Sequence, residues 1–206
     1  MAHIGADIDE SVPTRGLPAD ATHVLQKIKN NVSFLMVGTV EPRKGHVQAL
    51  EAFELLWQEG HKCQLVIVGK PGWNVEQLVF KLNDHEELGR RLFWLQGISD
   101  EYLSLLYEGA TCLLAASEAE GFGLPLIEAA KSKLPILARD IPVFREVAGN
   151  SADYFRACNC QVLKVEIMVW LNKYRRDAYR NSSVMNISSW GDCSEKIKSI
   201  LQKSRE

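Results

Sequence analysis

The chain has 206 residues, 46% apolar and 24% charged, and its 24 Lys and Arg stand against 26 Asp and Glu for a net charge of −2. That length suits one large domain or two very small ones and can bury a core without staples, while the charge argues against a general nucleic-acid binder, which carries a basic surplus. No apolar run approaches the ~18 residues of a membrane span, and the start, Met1 to Asp7, lacks the basic and apolar segments of a signal peptide. The five cysteines (63, 112, 158, 160 and 193) are odd in number and scattered. They read as reduced thiols of a cytoplasmic protein without a structural metal, because the one close pair, Cys158 and Cys160, lacks zinc spacing and a second pair nearby.

Residues 1–31, with Pro13, Gly16 and Pro18, show little periodicity and read as a lead-in or linker. Residues 32–39 (VSFLMVGT) form the first predicted strand. Residues 45–58 follow as a helix with Ala49, Leu50, Phe53, Leu56 and Trp57 on one face and Gly60 to close it. A second strand over 64–69 (QLVIVG) runs into the Pro71-Gly72 break. Asn74 and Gln77 then have capping-box spacing ahead of Val75, Leu78, Val79 and Leu82. Residues 92–95 (LFWL) are a third strand, and Ser99 caps a short helix bearing Leu103, Leu106 and Tyr107. Strands over 110–116 and 135–138 flank a helix over 124–132, and 152–155 adds a sixth strand. Residues 160–206 read as a helical tail whose last helix faces inward through Trp190, Ser194, Ile197 and Leu201.

Apolar strands alternating with amphipathic helices predict an α/β domain: a doubly wound, Rossmann-like parallel sheet of about six strands with helices on both faces. Ligands of such sheets bind beyond the strand C-termini. The informative loops are therefore those after Thr39, Leu95 and Ala116.

The first loop, Gly38-Thr39-Val40-Glu41-Pro42-Arg43-Lys44-Gly45-His46, sets two cations before a helix N-terminus, an arrangement suited to an anionic group. It lacks the Walker A pattern. The third loop carries Glu120-Gly121-Phe122-Gly123-Leu124-Pro125 and, early in the next helix, Glu128. Two carboxylates around a glycine turn can accept hydrogen bonds from sugar hydroxyls; taken singly, each is also what an exposed acid at a helix start looks like.

The segment Glu120-Gly-Phe-Gly-Leu-Pro-x-x-Glu128 resembles the E-x7-E signature of retaining GT-B glycosyltransferases, family 4 (glycosyl transferases group 1). The resemblance extends to Val37-Gly38-Thr39-Val40-Glu41-Pro42-Arg43-Lys44-Gly45, to Leu65-Val66-Ile67-Val68-Gly69, and to Glu146-Val147-Ala148-Gly149 followed by Ala152-Asp153-Tyr154-Phe155. It reaches weakly to Trp190-Gly191-Asp192. It implies one half of a GT-B fold, the C-terminal, nucleotide-sugar-binding domain over 32–206. The lead-in would then come from a missing N-terminal domain.

The resemblance also implies roles. Arg43 and Lys44 would hold the donor diphosphate, with Gly38 and Thr39 beside it, and Glu120 would bind hydroxyls of the donor sugar. Gly121, Phe122, Gly123 and Leu124 would offer backbone N–H groups, Glu128 would take the ribose hydroxyls, and Gly97 and Ile98 would frame the base. Arg43, Lys44 and Glu120 would carry the catalysis, with no metal and no cofactor beyond the nucleotide-diphospho-sugar donor. Many members carry Arg where this chain has Thr39; the variant present here resembles bacterial polysaccharide mannosyltransferases and implies GDP-mannose as donor. Acceptors in this family are often lipid-linked, and contact with the inner face of the cell membrane would fall to the missing half. Rival readings are a non-catalytic nucleotide- or sugar-binding module and a GT-B-like nucleotide-sugar epimerase.

Other features have plainer readings. Asp7-Ile8-Asp9 is a chance D-x-D with no strand before it, His46 a surface histidine, Trp73 and Trp94 core aromatics, Arg139-Asp140 a local ion pair, and residues 173–180 (KYRRDAYR) a solvated helix face.

Overall fold

Strands that are apolar on both faces belong inside a sheet covered on both sides. The computed structural model describes residues 16–186. Its six strands are β1 (Ser33–Val37), β2 (Gln64–Val68), β3 (Leu92–Leu95), β4 (Cys112–Ala115), β5 (Ile136–Arg139) and β6 (Asp153–Phe155). They pair in parallel in the order β3-β2-β1-β4-β5-β6. Phe34 of β1 lies opposite Leu65 on one side and Cys112 on the other.

The pleat sends alternate residues to opposite faces. Phe34, Met36, Leu65, Ile67, Cys112 and Leu114 point into one apolar cluster. That cluster is closed by α2 (His46–Gln58), α3 (Glu76–Asn83) and α7 (Cys160–Arg175). Leu35, Val66, Val68, Leu113 and Ala115 point into the other, under α1 (Ala21–Lys29), α4 (Asp100–Gly109), α5 (Leu124–Lys131) and α6 (Pro142–Ala148). Both faces of the sheet are thus covered, as the sequence pattern requires.

Two helices depart from the sequence reading. Within the expected lead-in, residues 21–29 form α1, which buries Ala21, Val24 and Ile28. Their spacing is helical, but only these three and the partly buried Leu25 carry it, among lysines and polar residues. α6 is only seven residues long, too short to show a period, and starts on Pro142. The Asn74 capping box does not form: α3 follows Val75, which gives no side-chain cap, and Asn74 itself sits at φ 52°.

Ser99 does cap α4, its Oγ accepting from Tyr102 N–H at 3.2 Å. Gly60, at φ 85°, closes α2, with Gly60 N–H and His61 N–H donating to Trp57 and Leu56 carbonyls, 3.0 Å each. Of the expected helical tail, the described residues form α7, capped by Asn159, and a 3-10 turn at Ser182–Val184. Asp7, Asp9, Trp190, Cys193, Ser194, Ile197 and Leu201 lie outside the described residues.

Strand order reverses between β1 and β4. The chain leaves β1 toward β2 and leaves β4 toward β5, so the two loops diverge and open a crevice at the C-terminal edge.

Candidate functional site

The loop after β1 turns through Gly38, at φ 135°, and a 3-10 turn at Pro42–Lys44, and enters α2 at Gly45. Gly45 is left-handed at φ 73°, and a Cβ there would lie 2.4 Å from the Ala116 carbonyl oxygen. Only glycine lets the cation turn seat against the end of β4. Glu118 N–H completes the junction by donating to the Arg43 carbonyl at 2.8 Å.

This docking delivers Arg43 and Lys44 to Glu120. Lys44 Nζ forms an ion pair with Glu120 Oε1, and Arg43 Nη1 reaches Glu120 Oε2 at 3.4 Å and the Ala119 carbonyl at 3.0 Å. Ser117 Oγ donates to Glu120 Oε1 at 2.8 Å, and Arg43 Nε pairs with Glu41 Oε2 at 2.9 Å. The Lys44 and Glu120 side chains are only 13% and 10% exposed. Burial pushes the Glu120 carboxyl up, but the bonds from Lys44 and Ser117 and the charges of Lys44 and Arg43 outweigh it, leaving it below the ordinary value. Glu120 is therefore an ionised, held acceptor and not a solvated acid.

Beyond Glu120, Gly121 is open: a Cβ added there would meet nothing within 4 Å, so a ligand can approach its backbone. Gly123, at φ 82°, starts α5 beneath the Phe144 ring, and the first turn of α5 has no side-chain cap. Phe122 is half-buried and Leu124 exposed. Glu128 belongs to a separate network: it accepts the Tyr107 hydroxyl at 2.5 Å. Burial raises the Glu128 carboxyl above its usual range despite that bond, and burial beside Glu128 also drives the Tyr107 hydroxyl well up. In the remaining loop, Gly97 is exposed at φ 60° near Lys70, and Ile98 is half-buried against the α1/α4 cluster. Thr39 is exposed beside Gly72. Among the described residues no three His, Cys, Asp or Glu side chains converge as a metal site.

Several plain readings are corrected. His46 is no surface residue: it is 2% exposed, and its Nδ1 has no partner among the described residues. Trp73 is 60% exposed and not core, whereas Trp94 is half-buried with its indole N–H on the Gly69 carbonyl at 3.0 Å. Arg139 does not pair with Asp140. Its guanidinium clasps the Ala116 carbonyl (2.9 Å), the Ala157 carbonyl (2.5 Å) and Gln48 Oε1, tying β5 to α2 and the site loop. Asp140 pairs with Arg145 and Arg156, 2.7 Å each, and these bonds pull its carboxyl down to about 2. Lys173 bonds Asp153 at 2.7 Å, so the 173–180 segment is anchored and not wholly solvated. The supporting partners Ser117, Tyr107 on α4 and Gln48 on α2 carry no sequence signal of their own; only proximity in the fold reveals them.

His46 makes a pH prediction. Burial lowers its imidazole to about 4, against an opposing bond to the Glu41 carbonyl and alongside the charge of Lys44. The unfolded chain takes up this proton near 6.5 and the folded one only near 4, so stability falls as pH drops through that window, by up to about 3 kcal/mol. Melting curves from pH 7 to pH 4 should show a steeper loss for the wild type than for His46→Gln; parallel curves would contradict it.

The family model for glycosyl transferases group 1 matches residues 21–182. The serotype-specific mannosyltransferase WbdA of Escherichia coli is 49% identical over 193 residues, 94% of this chain and 24% of that protein. The O-antigen chain mannosyltransferase RfbU of Salmonella typhimurium is 33% identical over 132 residues, 63% of this chain and 36% of that protein. The chain thus spans about a quarter of the length of the WbdA relatives.

Among solved structures, Anabaena Alr3699/HepE in complex with UDP and glucose superposes with a TM-score of 0.73 at 19% identity, over 98% of this chain and 56% of that one. The C-terminal domain of the group 1 glycosyl transferase LpcC from Francisella tularensis superposes at 0.65 and 18% identity, over 94% of this chain and 98% of that domain. The likeness to LpcC is one of fold, and it covers a single domain end to end. With the family model spanning both site loops and both carboxylates, the chain belongs to the glycosyl transferases group 1 family.

Proposed function

We propose that this chain is the donor-binding half of a retaining GT-B glycosyltransferase, holding a nucleotide-diphospho-sugar for transfer to a saccharide or lipid-linked acceptor in cell-surface polysaccharide synthesis. The observation that carries the reading is the convergence of Arg43 and Lys44 with Glu120 at the reversal point of the sheet. Cleaving a sugar–phosphate bond leaves negative charge on the departing diphosphate. Two cations on the turn before α2, together with the uncapped first turn of α5, suit that charge, with Glu120 giving up part of its hold on them. In this reading they do the work without a metal, Glu120 orients the sugar through its hydroxyls, and Glu128, held by Tyr107, takes the ribose. A facing domain completes the acceptor side, in keeping with WbdA relatives several times longer than this chain.

The names of the WbdA and RfbU relatives, both mannosyltransferases, support mannose as the transferred sugar, and hence GDP-mannose as donor. A melting-temperature screen with GDP, UDP, ADP and TDP tests this. At a hundredfold excess over Kd the bound nucleotide adds about 2.7 kcal/mol, a rise of roughly 5–10 °C for a chain of this size. GDP should give the largest rise. A larger rise with UDP would remove GDP-mannose, and no rise with any of the four would remove the donor site.

A further inference from the structure

A second opening lies on the same edge of the sheet. Residues 69–74 leave β2 and are zipped onto the first loop: Val40 N–H donates to the Lys70 carbonyl and Gly72 N–H to the Val40 carbonyl, 2.9 Å each. A side chain on Gly72 would collide with Glu41 and Thr39, so the two loops run in contact. Beside the cation turn, Pro42 and Val47 on one side and Asn74, Glu76, Gln77 and Leu78 on the other enclose a cleft of about 320 Å³. Trp73, the residue before Asn74 in the chain, is 60% exposed. Its indole N–H has no partner among the described residues, and its ring is open to solvent, where it can take the face of a ligand.

The chemistry of this opening is mixed. Pro42, Val47 and Leu78 are apolar, Asn74 and Gln77 bring amides, and Glu76 a carboxyl. The volume sits at the small end of ligand pockets, enough for one or two sugar rings. A protein interface would need a far broader apolar area than one indole and Val47 provide. A pyranose ring matches it: its C–H face lies on an indole, and its hydroxyls bond amides and carboxylates. We propose that Trp73, Asn74 and Gln77 form a saccharide subsite that receives the acceptor glycan next to the donor diphosphate. The proposal rests on the glycosyltransferase reading above, since Pro42 lines the cleft and adjoins Arg43.

The test uses the 206-residue chain, with mannotriose as the saccharide probe observed by saturation-transfer NMR, both without GDP and with GDP at saturation. GDP affinity is measured separately by calorimetry. The wild type should give a mannotriose signal. Trp73→Ala should weaken mannotriose binding about tenfold or more and leave the GDP Kd within about twofold. Asn74→Gly retains the left-handed backbone and removes the amide, and should weaken mannotriose by a smaller factor with GDP unaffected. Trp73 is exposed, so its removal leaves the melting temperature in place and keeps the result interpretable. Mannotriose binding that survives both substitutions, or is absent from a wild type that binds GDP, overturns the subsite. Loss of GDP binding on Trp73→Ala assigns the indole to the donor instead and also overturns it. Failure of the wild type to bind any nucleotide strikes the donor reading, a separate result.

Discussion

Replacing Arg43 and Lys44 together by alanine should weaken nucleoside diphosphate binding about a hundredfold, read by calorimetry. Hydrogen bonds to charged groups contribute ~1.5–3 kcal/mol each. Both side chains are already engaged, Lys44 with Glu120 and Arg43 with Glu41, Glu120 and the Ala119 carbonyl, so the ligand gains only the difference. A net loss of about 3 kcal/mol corresponds to that hundredfold change. The double variant also strands Glu120, a carboxylate 10% exposed, with Ser117 as its remaining side-chain partner. Adding Glu120→Gln should therefore recover stability without recovering affinity, which separates the loss of the cations from damage to the fold. An unchanged Kd in the double variant would remove the phosphate role of the turn.

Gly69→Ala should bring a new methyl group closer to backbone than alanine at any other glycine among the described residues, and should be strongly damaging. The new Cβ would fall 1.9 Å from the Gly38 carbonyl oxygen and 2.8 Å from its carbon, both backbone, with no flexible side chain to yield. Gly69 sits where β1 and β2 end side by side: Gly38 N–H donates to Val68 at 2.9 Å, and Gly69 N–H to Leu95 at 3.0 Å. The strand ends must part, at a cost of about 3 kcal/mol, or roughly 6–12 °C in melting temperature. The cation turn shifts with them, so nucleotide affinity falls as well. Gly109→Ala is the matched control: nothing lies within 4 Å of the added carbon and the backbone is at ordinary φ. A Gly69→Ala protein that melts with the wild type would refute the close approach.

What could be read from the residues follows from the range of the forces involved. The strands were legible because residues such as 34–37 and 65–68 are apolar on both faces, a local pattern with one stable outcome. α2 was legible from its periodic face and Gly60. The site was legible as two loops, since cations before a helix and carboxylates around glycines are also local signals. Their union was not: Lys44 and Glu120 are 76 residues apart, and nothing near either one names its partner. The same holds for Arg139, whose guanidinium left the adjacent Asp140 for three oxygens on other elements. His46 looked like surface because it flanks a charged loop, yet as the first residue of α2 it turns inward under that loop. Trp73 failed in the opposite sense: a large aromatic by a strand is expected inside, and the glycine beside it, pressed on Glu41, holds its loop out at the edge.

The cation turn has a consequence for selectivity. Arg43, Lys44, Glu41 and Glu120 form a cluster with no net formal charge, so Glu120 acts as a resident counter-ion. A simple phosphate ion entering this cluster competes with the carboxylate for its cations and offers it only a P–OH donor in return. A sugar diphosphate arrives with both halves of the exchange, oxygens for Lys44 and hydroxyls for Glu120. The internal pair thus sets a threshold that a free anion from the surrounding pool does not meet and a two-part ligand does.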